Sequence, residues 1–177
     1  HPAAAEYPFS LAASYHNLAV WHKETGSHEA ALARFQDAAK IWRTLGRRFP
    51  WSQRIRRELA LELKSLGDLQ AQLQQLDAAA DSLEQAHRAQ ELLWRESPDE
   101  LDYAVDLAGI CVSRGKLAAR REQYSSARLL LQDARQISHD VLEKQPQHPR
   151  ARRYLKAAET ACEELRRRGD QPMSLKA

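Results

Sequence analysis

The chain has 177 residues, only 6 of them glycine and 7 proline, with 27 basic and 24 acidic side chains and a formal net charge of +3. Ala, Leu, Gln, Glu and Arg dominate and β-branched residues are scarce, which favours helix because unbranched side chains lose little rotamer freedom there. A charged fraction of 29% and a hydrophobic fraction of 43% exclude a disordered chain; the small, mixed charge argues for neither nucleic acid nor membrane, and no apolar run approaches the roughly 20 residues that cross a bilayer.

The start, from His1 to Glu6, lacks the charged and apolar regions of a signal peptide, and the chain reads as cytoplasmic. Leu11, Tyr15, Leu18, Ala19 and His22 step by three or four, the spacing of one face of a helix over about 6–25. After Gly26, with Ser27 as a start signal, Ala31, Phe35, Ala38, Ile41, Trp42 and Leu45 give the stripe of a second helix over 28–48. Phe49-Pro50-Trp51 predicts a tight turn, since a helix does not easily run through proline.

The same plan then recurs. Helices are predicted over 52–75 with 77–96, then, after Ser97-Pro98-Asp99, over 100–122 with 124–144. Past Gln145-Pro146-Gln147, residues 147–168 repeat the first helix only. Ala151, Tyr154, Leu155, Ala158, Cys162 and Leu165 form its stripe, with Arg and Glu opposite, as a terminal capping helix requires. Gly169 is a helix stop and 170–177 is expected to be a loose tail.

Pro2, Pro50, Pro98 and Pro146 stand at an even interval of 48. Leu11, Leu59, Leu107 and Leu155 share it, as do Ala31, Ala79 and Ala127, then Ala38, Ala86 and Ala134. Ala19, Gly67 and Gly115 follow, with Phe35, Leu83 and Leu131. Such in-phase series mark stacked units, each a pair of antiparallel helices. One domain over 1–169 is expected, with repeats at about 2–49, 50–97 and 98–145 and a capping helix over 147–168. His1-Pro2 has the phase of a repeat boundary.

These residues resemble the tetratricopeptide repeat family, whose pattern places Leu-Gly and Tyr on the first helix and Ala, an aromatic and Ala on the second. The first unit offers Tyr15, Leu18, Ala19, Ala31, Phe35 and Ala38, with Asn17 and Gly26 also in family positions. The second offers Leu63, Leu66, Gly67, Ala79, Leu83 and Ala86, and the third Cys111, Gly115, Ala127, Leu131 and Ala134. Arg114 stands where Leu is expected, and His22, Gln70 and Ala118 replace the usual Tyr. The family's repeat is about 34 residues, so 48 implies both helices extended by about two turns. Long repeats of this kind look like the arrays appended to bacterial signalling proteins, serine/threonine protein kinases among them. The resemblance implies an all-α, right-handed solenoid of three helix pairs plus a capping helix.

An enzyme needs a constellation of reactive groups, and the sequence offers none. The seven histidines, His1, His16, His22, His28, His87, His139 and His148, lie in no metal-ligand spacing. Cys111 and Cys162 read as structural thiols, and no cofactor is implied. The arginine clusters at 54–57, 120–121 and 150–153 are interleaved with Glu58, Glu62, Glu122 and Glu159 and read as solvated faces, not as a nucleic-acid surface.

In the family the first helices line a groove that holds a peptide. Carried over by position, that groove comprises His16, Val20, Lys23 and Glu24, then Leu61, Lys64, Asp68 and Gln72, then Val112, Lys116 and Arg120, and on the last helix Thr160, Glu164 and Arg167. Lys64, Lys116 and Arg120 would make it cationic, implying a protein or peptide partner with acidic residues or a C-terminal carboxylate. Val20 replaces an Asn of the family's carboxylate clamp, so no clamp is implied. Trp21 is the candidate for domain docking or for homo-oligomer formation through the N-terminal edge. The two readings are a binding scaffold and a spacer or self-association module for a catalytic domain.

Overall fold

The structure is a computed structural model in which residues 3–169 are described, their side chains over 7–167. The expected boundary at His1-Pro2 and the expected tail 170–177 lie outside the described residues. Seven helices follow in order: α1 Ala3–Glu24, α2 His28–Arg48, α3 Gln53–Gln72, α4 Leu76–Glu96, α5 Leu101–Arg120, α6 Tyr124–Lys144 and α7 Pro149–Gly169. No strand occurs among the described residues. The fold is all-α. α2, α4 and α6 begin 48 residues apart.

The chain divides into two compact units, His1–Tyr103 and Ala104–Ala177, the division falling inside α5. In the first, α1 packs on α2, α2 on α3 and α3 on α4. Ala19, Ala31, Phe35, Ala39, Leu66 and Leu69 form one buried cluster; Ala12, Trp42, Leu45 and Ile55 form another, with Phe9 set edge-on to Trp42 at 5.0 Å. In the second, α6 packs on α7, and Ala127, Leu131, Ala134, Val141, Ala151, Ala158 and Leu165 are buried. Burial of these side chains, worth about 25 cal/mol per Å² of apolar surface, is the main drive to fold.

The small in-phase residues are small for a packing reason. A Cβ on Gly67 would lie 2.7 Å from Leu83 Cγ, and one on Gly115 2.7 Å from Leu131 Cγ. Neither leaves room for a methyl group, so α3 and α4, like α5 and α6, approach to backbone contact.

The first helix of each pair ends in the same way. Ser27 N donates to His22 O at 2.8 Å, Gln75 N to Gln70 O at 2.9 Å and Gln123 N to Ala118 O at 2.9 Å. This six-residue closure is the Schellman motif, and it requires a left-handed residue. Gly26 supplies it at φ 79°, Gln74 at 63° and Glu122 at 61°. α3 and α5 therefore stop at 72 and 120, short of the expected 75 and 122.

Two further expectations change. The Ser27 side chain caps nothing, whereas Ser52 Oγ accepts from Ile55 N at 3.4 Å at the start of α3. The position of the usual Tyr is filled differently in the second pair, where Ser82 Oγ donates to Gln70 Oε1 at 2.7 Å and both side chains are buried. Cys111 is buried, Cys162 is half-buried, and no disulfide joins them.

Candidate functional site

The positions assigned to a groove fall on α1, α3, α5 and α7, and the two units treat them differently. In the first unit, charge is largely neutralised locally. Lys64 Nζ lies 2.7 Å from Asp68 Oδ2 one turn along α3, so the lysine expected to face a ligand is already paired. His16 Nδ1 sits 2.8 Å from Glu62 Oε2 across α1 and α3, with its ring edge-on to Phe35 at 5.5 Å. The hydrogen bond to Glu62 holds the His16 pKa above its ordinary 6.5, and burial raises that of Glu62. His16, Glu58, Glu62, Asn17 and Leu61 share a cleft of about 180 Å³ with Ala13 and Trp42. Val20 packs against the core, while Lys23, Glu24 and Gln72 are exposed.

In the second unit, Lys116 of α5 meets Arg153, Lys156, Thr160 and Glu164 of α7 around a depression of about 310 Å³, also lined by Ala157 and Ala161. Three cations thus converge where sequence placed one. Arg153 and Lys156 were missed because they fall two turns and one turn before Thr160, respectively; their shared face follows from the 3.6-residue period. Arg153 is held in place, its Nη2 donating to Tyr154 Oη at 3.1 Å. Arg120, Arg167 and Glu164 are exposed, whereas Val112 is 5% exposed and belongs to the core.

Arg120, Arg121, Arg152 and Arg153 are exposed as expected of solvated faces, but other members of the arginine clusters are not. Arg56 forms a bidentate pair with Glu96, Arg57 reaches Asp102 at 3.4 Å, and Arg54 lies over the Phe9 ring at 4.8 Å. Arg150 donates to Asp106 Oδ1 at 2.5 Å, on a carboxylate that is 1% exposed. These arginines tie helix to helix. On α6 the exposed His139, Asp140 and Glu143 bring ligand atoms within 4.8 Å of one another, a cluster in none of the familiar metal-ligand sequence spacings. Gln136 already donates to Asp140 at 2.7 Å, and His139 and Glu143 pair at i,i+4.

Antiparallel helix pairs, close-packed through a small residue and joined by short turns, define an all-α helical-repeat protein of the solenoid class. Residues 11–46 match the family model described as "Tetratricopeptide repeat". That match spans most of α1 and α2, so the first helix pair is similar to a repeat of that family. Among solved structures it is similar to BtubC (BKLC) from P. vanneervenii, with a TM-score of 0.62, 16% identity, and 96% of this chain and 69% of that chain covered. At that identity the likeness concerns the fold. No curated protein matches the chain by sequence. Repeats of this family generally bind proteins or peptides and are typically non-catalytic. No described helix is long and apolar enough to cross a membrane.

Proposed function

We propose that this chain is a protein-binding scaffold without catalytic activity, and that its second unit takes an acidic segment of a partner. The observation that carries the reading is the convergence of Lys116, Arg153 and Lys156 on one depression. Ala157 and Ala161 give it a small-residue floor, Thr160 adds a hydroxyl, and Glu164 bounds it with the opposite charge. Such a surface favours a carboxylate held by charge-assisted hydrogen bonds. Lys64 contributes less, being paired with Asp68. The setting we propose is a larger bacterial signalling protein, a reading that rests on repeat length alone.

The test is a titration of the ¹⁵N-labelled chain with a hexaglutamate peptide at about 150 mM salt, where surface charges are screened beyond about 8 Å. Shifts centred on Lys116, Arg153 and Lys156, abolished in a folded Lys116→Glu/Lys156→Glu variant, support the site. Shifts spread over every exposed cation, or unchanged in the variant, exclude it.

A further inference from the structure

Buried carboxylates need partners, and one in the first unit is only half supplied. Glu62 of α3 is 3% exposed, and its Oε2 lies 2.8 Å from His16 Nδ1 of α1. Its Oε1 is buried as well and has no hydrogen-bond partner among the described residues. An acceptor held out of water in this way costs stability until a donor reaches it. Glu58 stands one turn earlier on the same face of α3, and like charges four residues apart repel. The neighbouring arginines of that helix are turned elsewhere: Arg54 lies over the Phe9 ring, Arg56 pairs with Glu96 and Arg57 reaches Asp102.

Both carboxylates line the cleft of about 180 Å³ between α1 and α3, whose apolar wall is Ala13, Leu61 and Trp42. The cleft is short of positive charge. The hydrogen bond to Glu62, with the charges of Glu62 and Glu58, raises the His16 pKa; burial, and after it Glu58, raises that of Glu62. Groups that grip protons in this way also favour another cation in the proton's place. A metal ion fits poorly, because His16 Nδ1 is spent on Glu62, and among the described residues three such ligand atoms converge within 4.8 Å only on α6. A guanidinium fits poorly too. Its planar fork seeks two acceptors side by side, and Glu62 has one oxygen left.

We propose that this cleft takes the ammonium head of a straight-chain primary amine, supplied either by a lysine side chain of a bound protein segment or by a free polyamine. The ammonium is a compact charge with three donors, suited to one free carboxylate oxygen on Glu62 and a second carboxylate, Glu58, nearby. Its alkyl stem lies along Ala13, Leu61 and Trp42, as such stems do when they bury their methylenes and carry the charge to a polar end. About 180 Å³ is several times the roughly 30 Å³ that one water takes in the liquid, so the stem has room. The cleft shares no residue with the cationic depression and does not depend on it.

The experiment titrates the ¹⁵N-labelled whole chain, at about 150 mM salt, with a blocked Gly-Lys-Gly tripeptide and, separately, with spermidine. The same tripeptide carrying norleucine or arginine in place of lysine serves as comparison. The expected result is saturable shifts centred on His16, Asn17, Leu61 and Glu62, absent with norleucine and at least fivefold weaker with arginine. Glu62→Gln should weaken the binding at least tenfold, and Glu91→Gln, on an exposed α4 pair, should leave it unchanged. If Glu62→Gln does not fold, Glu58→Gln and Ala13→Leu, which narrows the cleft, carry the same test. Binding of the lysine peptide alone assigns the cleft to a protein segment, and binding of spermidine alone to a polyamine. No saturable binding of either, equal binding of norleucine or arginine, or indifference to these variants overturns the proposal.

Discussion

Arg150, in the first turn of α7, donates from Nη1 to Oδ1 of Asp106 on α5, closing a 2.5 Å ion pair onto a carboxylate that is 1% exposed. A buried charge is tolerated because its partner offsets the desolvation, so removing the partner costs more than the pair itself contributes. Arg150→Met is expected to destabilise the chain by about 2–4 kcal/mol, toward the low end because the arginine is a third exposed. Arg150→Met/Asp106→Leu should recover most of that loss, since an apolar pair of similar volume replaces the ions. Urea unfolding of the two variants measures the difference; equal losses would show that the pair is not coupled.

Gln74 and Glu122 hold the left-handed conformation that Gly26 holds at the end of α1. A side chain there costs about 1–2 kcal/mol, part of which glycine returns as lost chain entropy. Gln74→Gly and Glu122→Gly are each expected to stabilise by about 0.5–1 kcal/mol, a gain of about 1–4 °C in Tm for a chain of this size. Gly26→Gln should do the reverse. Thermal melts of the three single variants decide the matter.

His16 and Glu62 make stability depend on pH. Both hold their protons more tightly in the fold than in the unfolded chain, where histidine titrates near 6.5 and glutamate near 4.5. The contribution is therefore fully present below about 4.5 and declines as pH rises, first as the unfolded glutamate ionises and then as the unfolded histidine loses its proton. Glu58 acts on both groups in the same sense. Between about pH 5 and 8 the parent chain should lose stability relative to Glu62→Gln, which has no carboxylate to couple to His16. Parallel pH profiles for the two chains would contradict this.

Gly67 faces Leu83 at a distance that excludes a methyl group. Gly67→Val is expected to cost about 1–3 kcal/mol through overpacking, whereas Gly67→Val/Leu83→Ala should cost less than the sum of its parts. A double-mutant cycle in denaturant reads the coupling; strict additivity would show that the two side chains do not compete for the space.

Much of the fold is legible along the chain because each residue that carries it does local work. Proline at 50, 98 and 146 breaks helices, and apolar residues three and four apart must share a face, whatever they pack against. The small series Gly67 and Gly115 also shows in sequence, since nothing larger fits beside leucine. The left-handed turns at Gln74 and Glu122 do not show, because their residue types give no sign of the backbone they adopt. Trp21 stood out as a docking candidate for its place near the start of the array, and it is 56% exposed, whereas Leu69 at the same register of α3 is buried.

Sequence by itself determined the helices, their pairing and their register, since these follow from periodicities that every residue must obey. Tertiary structure alone decided which charges are spent. Arg150, Arg56 and Lys64 are spoken for by Asp106, Glu96 and Asp68, while Lys116, Arg153 and Lys156 gather around open space. A charge on a helix face looks the same in sequence whether it meets a carboxylate or water, because its partner is fixed by how the helices pack.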